Sequence, residues 1–191
     1  GPGLVAAGSD GHPDAEDQHI DPFANDAAVW TSTDGVTWMR VPHDEAVFGG
    51  DGGQRMLSVT VGGPGLVAVG SEDGDPTGSD AAVWISADGV TWARVPHDEA
   101  VFGGGGEHRM VGVTVGDLGL VAVGWTGFDQ SGWDEAVWTS PDGIDWTVLP
   151  QANTPNNGYV KMWAVTVGAS GLVAVGEEHG DGDASAAAWN E

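Results

Sequence analysis

Short apolar stretches of four to seven residues, each bounded by glycine or by Asp-Gly, recur along the whole chain. They are rich in Val, Thr and Trp, and no apolar spacing follows a helical period for long enough to compete with a strand. One unit is predicted to hold four antiparallel strands, A to D: RMLSVTV from Arg55, LVAVG from Leu66, AAVWIS from Ala81 and TWARV from Thr91. The pattern therefore predicts an all-β protein.

These strands repeat with a period of about 54 residues. The stretches WTSTDGVTW, WISADGVTW and WTSPDGIDW begin at Trp30, Trp84 and Trp138, and GLVAAG or GLVAVG begins at Gly3, Gly65, Gly119 and Gly171. A unit this short cannot bury its apolar face alone, so neighbouring units are expected to stack. The units span approximately 3–54, 55–108, 109–160 and 161–191, within a single domain over 1–191.

Four antiparallel strands in about 54 residues are typical of a β-propeller blade. The chain begins at strand B of its first unit and stops after strand C of its last, which predicts fourteen strands where four complete blades need sixteen. The first and last blades are therefore expected to be incomplete. Since proteins generally avoid unpaired strand edges, three explanations are open. The chain is a fragment of a longer propeller, a small ring with two thin blades, or a homo-oligomer whose copies complete the blades.

The turn between strands C and D resembles the Asp-box (BNR) repeat of sialidase-like propellers, and it is even more similar to the DGG-T-W hairpins of a second group of propellers. The matching residues are Ser32, Asp34, Gly35 and Trp38; Ser86, Asp88, Gly89 and Trp92; and Ser140, Asp142, Gly143 and Trp146. The resemblance implies a structural role. The aspartates are expected to accept backbone N–H bonds, the glycines to adopt positive φ, and the tryptophans to cover the hairpin.

Sialidase activity is not expected from this resemblance. A sialidase site needs three arginines, a Tyr/Glu nucleophile pair and an aspartate acid/base. The four arginines here, Arg40, Arg55, Arg94 and Arg109, sit at equivalent repeat positions, and Tyr159 is the one tyrosine. The catalytic set therefore cannot be transferred, and no residue is predicted to be catalytic.

The chain has a strong negative charge, with 5 Lys and Arg against 29 Asp and Glu and a net charge of −24. Such a surface repels phosphate backbones, which argues against nucleic-acid binding. No apolar run is long enough to span a membrane as a helix. The chain has no cysteine, which excludes disulfides and thiolate metal sites. The composition favours an extracellular or cell-surface location.

Charged residues at repeated positions suggest two kinds of site. Arg55, Arg109 and Lys161 open strand A, and Asp26, Asp80 and Asp134 precede strand C. They are expected to form ion pairs between blades, with a cationic ring that captures an anion as the alternative. The stretches His43-Asp44-Glu45 and His97-Asp98-Glu99 carry donors for a transition metal, with a duplicated solvated loop as the alternative.

The B–C loops carry the remaining candidate ligands. Acidic residues between glycines suit Ca²⁺, for which the candidates are Asp73, Asp75, Asp181 and Asp183. No other cofactor is required. The third B–C loop adds Trp125, Phe128 and Trp133, which lie outside the repeat pattern, beside Asp129. These residues are expected either to contact a sugar or another flat ligand, or to form the small core of the loop.

The sequence thus predicts a non-catalytic recognition or scaffold module. The face formed by the D–A and B–C loops would bind a glycan, a protein or Ca²⁺. The alternative is a divergent glycoside hydrolase using the carboxylates of Asp44, Glu45, Asp98 and Glu99. Their duplication argues against this alternative, since acid and base need unlike environments.

Overall fold

The computed structural model describes residues 3–11, 25–50, 52–75, 78–117, 119–129, 132–150, 159–180 and 183–190. These residues form fourteen strands and two helices of four residues each. The strands are β1 (Leu4–Gly11), β2 (Asn25–Ser32), β3 (Met39–Arg40), β4 (Gln54–Gly62), β5 (Gly65–Asp75), β6 (Gly78–Ser86), β7 (Ala93–Arg94), β8 (Glu107–Gly116), β9 (Gly119–Asp129), β10 (Gly132–Ser140), β11 (Thr147–Val148), β12 (Tyr159–Gly168), β13 (Gly171–Gly180) and β14 (Asp183–Asn190). The helices are α1 (Glu45–Phe48) and α2 (Glu99–Phe102). The all-β prediction is confirmed.

The strands form four separate antiparallel sheets. Sheet 1 contains β1–β3, sheet 2 contains β4–β7, sheet 3 contains β8–β11 and sheet 4 contains β12–β14, with neighbours in chain order within each sheet. The pairing register also repeats, because a tryptophan of strand C pairs with an alanine of strand B in each of sheets 1 to 3. The pairs are Trp30 with Ala6, Trp84 with Ala68, and Trp138 with Ala122. The predicted strand number is confirmed within the described residues.

A β-bulge interrupts the pairing of the first two strands in sheets 2, 3 and 4. It follows Met56, Met110 and Met162. Beside each bulge a glycine lies so close to the partner strand that a Cβ would overlap a carbonyl oxygen: Gly70 against Arg55, Gly124 against Arg109, and Gly176 against Lys161. Close backbone approach therefore requires glycine at these positions.

The two sides of each sheet have different side chains. In sheet 2 the valine face consists of Val67, Val69, Ala81 and Val83, and the tryptophan face consists of Ala68, Ala82, Trp84 and Trp92. The tryptophan face of sheet 2 packs on the equivalent valine face of sheet 1, and its own valine face packs on the tryptophan face of sheet 3. The period-2 alternation of each strand thus supplies a core on both sides.

The main contacts between different sheets join consecutive sheets, and none of these contacts joins sheet 1 to sheet 4 within the described parts of the chain. The valine face of sheet 4 is consequently exposed. Val175 is 46% exposed, whereas its equivalent in sheet 2, Val69, is 0% exposed. At the other end, Trp38 on the tryptophan face of sheet 1 is 41% exposed, while Trp92 and Trp146 are buried. The Trp38 indole is thus more exposed than its equivalents in the next two hairpins, because no further sheet packs on this face among the described residues.

The three hairpin turns share one hydrogen-bond pattern. The Asp34 carboxylate accepts bonds from the N–H groups of Val36 at 2.8 Å and Thr37 at 2.7 Å. Asp88 and Asp142 accept the same pair of bonds in their turns. These bonds lower the pKa of Asp34 and Asp88 to about 2. Gly35, Gly89 and Gly143 adopt φ values of 75°, 81° and 84°, which the short turn requires.

Each short helix is tied to the following sheet by a buried tryptophan. The Asp44 and Asp98 side chains cap α1 and α2 by accepting bonds from the N–H groups of Ala46 and Ala100. The indole N–H of Trp84 donates to the carbonyl of Val47 in α1. The loop between β3 and β4 is thereby fixed against sheet 2, and Trp138 fixes α2 against sheet 3 in the same way.

Candidate functional site

Four aromatic side chains surround one lysine where sheets 3 and 4 meet. This aromatic cluster consists of Trp125 of β9, Trp133 of β10, and Tyr159 and Trp163 of β12, with Lys161 of β12 at its centre. The Lys161 Nζ lies 3.6 Å from the ring centroid of Trp133 and 4.8 Å from that of Trp125. Both distances are within the range of a cation–π interaction.

The rings also contact one another. Trp125 and Trp163 form an edge-to-face pair with centroids 4.9 Å apart, and Trp133 and Tyr159 form a tilted pair with centroids 5.1 Å apart. Tyr159 in turn lies edge-on to His179, with centroids 6.4 Å apart. Aromatic pairs in these arrangements attract each other, so these contacts stabilise the cluster.

Polar groups border the cluster on the side of β8. The Glu107 carboxylate accepts bonds from the indole N–H groups of Trp133 at 3.2 Å and Trp125 at 3.4 Å. The Arg109 guanidinium lies 5.7 Å from the centroid of Trp125. Burial lowers the pKa of the Lys161 ammonium, while the Glu107 carboxylate acts in the opposite direction. The aromatic rings are thus combined with cationic and anionic hydrogen-bonding groups.

One part of the cluster is buried and another faces solvent. Trp125 is buried, whereas Trp163 is 46% exposed and Tyr159 is also exposed. Trp163 is the residue at which the pairing of β12 with β13 shifts register, between Met162 and Ala164. It takes the repeat position held by Leu57 and Val111 in the preceding units. The bulge and the aromatic substitution together place a large flat ring at the surface.

A carboxyl group with a raised pKa lies beside the cluster. Glu135 of β10 pairs in register with Trp125 of β9. Its Oε2 atom is buried and has no hydrogen-bond partner among the described residues. Burial raises the pKa of this carboxyl group, and the negative charges of Asp134 and Glu178 raise it further. A neutral Glu135 would be able to donate a hydrogen bond at this position.

The structure brings together residues that the sequence assigned to two separate sites. Trp125 and Trp133 were predicted from the third B–C loop, and Arg109 and Lys161 from the start of strand A, and all four meet in the aromatic cluster. Phe128 and Asp129 belong to β9, but their side chains are outside the described residues. Sequence reasoning missed Trp163 and Glu107; the signal for Trp163 was an aromatic residue at a repeat position that is otherwise aliphatic.

The predicted ion pairs with the aspartates before strand C are wrong for Arg55. Its Nη1 atom lies 2.8 Å from Asp73 Oδ2. Asp26 and Asp80 face His43 and His97 instead, at 3.6 Å and 3.9 Å. Arg55 is thus paired within its own sheet, and its role in an anion site with Arg109 and Lys161 stays a prediction.

Calcium binding stays a prediction. Asp73, one of the four candidate ligands, is already paired with Arg55, and this cation would compete with Ca²⁺. Asp75 and Asp183 lie in β5 and β14, with side chains outside the described residues, and Asp181 lies wholly outside them.

No protein-family model matches the chain, and no curated protein sequence matches it significantly. The described residues also contain no helix that is long and apolar enough to cross a membrane. The aromatic cluster can therefore be interpreted only through its own chemistry. Exposed rings next to hydrogen-bonding side chains are suited to binding, and Trp163 offers a flat apolar surface for a ligand.

Proposed function

We propose that the chain is a non-catalytic carbohydrate-binding module built on a β-propeller, with the aromatic cluster as its binding surface. The observation that supports this most directly is the exposed ring of Trp163, held edge-to-face against the buried Trp125. The extracellular or cell-surface location expected from composition would suit such a module.

The chemistry of a sugar matches the groups at this surface. A pyranose ring has an apolar C–H face that can lie on the exposed indole of Trp163, and hydroxyl groups at its rim that need partners. Glu107 can accept bonds from these hydroxyls, and Arg109 and Lys161 can donate bonds to them. The packing of the rings against one another lowers the entropy lost on binding.

The propeller proposal rests on the repeated sheets. Four antiparallel sheets share one strand order and one register, and each packs on the next through the valine face of one and the tryptophan face of the other. The hairpin turns that resemble the Asp-box repeat occupy the same place in sheets 1, 2 and 3. Radial repetition of four-stranded sheets is the arrangement that a propeller uses.

The proposed partners include a second copy of this chain. The valine face of sheet 4 is exposed at Val175, Ala186 and Ala188, whereas the equivalent residues of sheet 2 are buried against a tryptophan face. Sheet 1 exposes Trp38 on its tryptophan face. Because these two faces form each interface between sheets 1, 2 and 3, a head-to-tail contact between two copies would reproduce that packing.

The alternative of a divergent glycoside hydrolase has little geometric support. Asp44 and Asp98 accept bonds from backbone N–H groups as helix caps. Glu45 and Glu99 lie 3.0 Å and 3.1 Å from the histidines of their own loops. The four candidate carboxylates thus form two equivalent sets rather than an acid and a base in unlike environments.

A saccharide array of neutral, uronic and sialylated glycans tests the proposal, followed by calorimetry on the sugar that binds best. Trp163→Ala is expected to weaken binding about tenfold or more, because it removes the stacking surface. The matched control is Trp38→Ala, which removes an indole of similar exposure on sheet 1. Absence of any saccharide binding, or a Trp163→Ala variant that binds as the parent does, would refute it.

A further inference from the structure

Two clusters that each contain one histidine and two carboxylates lie beside sheets 1 and 2, and they share an aspartate and a histidine at equivalent repeat positions. The first cluster consists of Asp26, His43 and Glu45, and the second of Glu72, Asp80 and His97. Within each cluster, one donor atom from every residue lies within 4.8 Å of the others. One imidazole with two carboxylates is a ligand set for a divalent first-row metal ion.

The two distances from the histidine in the first cluster are close to the donor separations around a tetrahedral ion. His43 Nε2 lies 3.6 Å from Asp26 Oδ2 and 3.0 Å from Glu45 Oε2. With metal–ligand bonds of about 2.0–2.2 Å, neighbouring donors around Zn²⁺ are about 3.3 Å apart. Both distances are within a few tenths of an ångström of that separation, and all three donor atoms lie within 4.8 Å of one another. The three residues can therefore converge on one ion and leave a fourth position for water.

A buried atom without a partner points independently to a ligand. The Asp26 side chain is only 6% exposed. Its Oδ2 atom, which faces His43, has no hydrogen-bond partner among the described residues. A buried carboxylate oxygen without a partner is unfavourable, and a bound cation would satisfy it.

The loop before β4 is shaped to present the other two donors. The sequence predicted Asp44 as a metal ligand, but its side chain caps α1 by accepting a bond from Ala46 N–H. Asp26 of β2 provides the second carboxylate instead. The Glu45 carboxylate folds back over Gly49, where a Cβ would lie 2.6 Å from the carboxyl oxygen. The His43 ring contacts the buried Phe48, with centroids 6.3 Å apart. These local contacts hold the donors in place before any ion binds.

The second cluster has the equivalent aspartate and histidine, but its third residue is Glu72 of β5 and not Glu99, the repeat equivalent of Glu45. His97 Nε2 lies 3.9 Å from Asp80 Oδ2, whereas the contact of 3.9 Å with Glu72 Oε1 is made by the other ring nitrogen, Nδ1. These two contacts cannot both be made to one ion, so the side chains would have to shift further than in the first cluster. Glu72 also forms an ion pair with Arg94. A cation beside one ligand lowers the affinity for a metal, so the second cluster is expected to bind more weakly. In sheet 1 the equivalent Arg40 pairs with Asp10, outside the first cluster.

We propose that Asp26, His43 and Glu45 form a binding site for a divalent first-row metal ion, and that Glu72, Asp80 and His97 form a weaker second site. The bound ion would link β2 to the loop before β4, and thereby fix the loop that contains α1. The third repeat has Gln151 and Asn153 where the first has His43 and Glu45, so no third site is expected. This proposal does not depend on carbohydrate binding.

The test is a Zn²⁺ titration of the untagged, EDTA-treated chain by calorimetry, with the stoichiometry confirmed by native mass spectrometry. Two bound ions are expected. His43→Gln should remove the tighter one, and the double variant with His97→Gln should remove both. Co²⁺ in place of Zn²⁺ should give the visible absorption bands of a tetrahedral site, and His43→Gln should reduce them.

His179→Gln is the matched control. His179 lies 3.6 Å from Glu177, and within the described part of the chain this histidine–carboxylate pair has no third donor. This variant should keep both ions. The proposal would be overturned by a chain that binds no Zn²⁺ at micromolar concentration, by binding that survives in the double variant, or by an equal loss in His179→Gln. Asp26→Asn, with its fold checked by circular dichroism, should lose the tighter ion in the same way as His43→Gln.

Discussion

The indole N–H of Trp84 donates a hydrogen bond of 2.7 Å to the carbonyl oxygen of Val47, which lies in α1, in the loop between sheets 1 and 2. Trp138 makes the equivalent bond of 2.8 Å to Val101. Both tryptophans are fully buried. Each of these tryptophans thus connects consecutive sheets in two ways: it packs in the apolar core between them, and it donates a hydrogen bond to the short helix in the loop that joins them.

Replacement of Trp84 by phenylalanine tests this link. The variant leaves the Val47 carbonyl without its partner and removes buried volume, so the free energy of unfolding should fall by about 2–4 kcal/mol. Urea denaturation measures the change. Trp38→Phe is the control, because Trp38 is partly exposed on sheet 1, and it should change the free energy of unfolding by less than about 1 kcal/mol. Equal effects of the two substitutions would contradict the proposed link.

The hairpin aspartates predict a dependence of stability on pH. Backbone N–H bonds from Thr91 and Val90 lower the pKa of Asp88 from 3.8 to about 2. A carboxyl group with a lowered folded-state pKa stabilises the fold above the unfolded pKa, and this contribution is lost as pH falls through the folded pKa. The parent should have a larger free energy of unfolding than Asp88→Asn at neutral pH, and this difference should decrease between about pH 4 and pH 2.

Urea midpoints measured from pH 6 to pH 2 would show this convergence. Asp145→Asn changes the net charge equally in another hairpin and serves as the control. A difference between the parent and Asp88→Asn that stays constant across this pH range would show that the carboxylate does not organise the turn.

The close approach of the strands at the bulges predicts that replacing the adjacent glycine will strongly destabilise the fold. A Cβ on Gly70 would overlap the carbonyl oxygen of Arg55 on the paired strand, so Gly70→Ala should destabilise the fold by about 3 kcal/mol or more. Gly105→Ala is the matched control, because nothing lies within 4 Å of the added Cβ. Thermal unfolding of both variants checks the prediction, and a Gly70→Ala variant as stable as the control would contradict the close approach.

The exposed valine face predicts association of the chain with itself. Native mass spectrometry at increasing concentration should show dimers or longer head-to-tail assemblies, and Val175→Asp should shift them towards monomer, since it places a charge in the apolar contact. Val61→Asp alters a valine that is also exposed but lies on β4, and it should leave association unchanged. A parent chain that is monomeric at tens of micromolar would refute the contact between copies.

The sequence by itself determined the strands, their order in four sheets and the chemistry of the turns. These features depend on residues close together in the chain: the alternation along one strand, or the two bonds from Val36 and Thr37 to Asp34. The 54-residue repeat made each local pattern visible several times, and the same local forces act in each copy.

Only the tertiary structure decided which side chains meet. Asp26 reaches His43 because β2 and the loop before β4 converge, and a capping bond occupies Asp44, the nearer candidate in sequence. Lys161 reaches Trp133 because sheets 3 and 4 pack against each other. Such contacts depend on how whole sheets pack and on a bulge in β12. The spacing of residues along the chain does not predict the sheet packing or the bulge, because both arise from contacts between residues far apart in sequence.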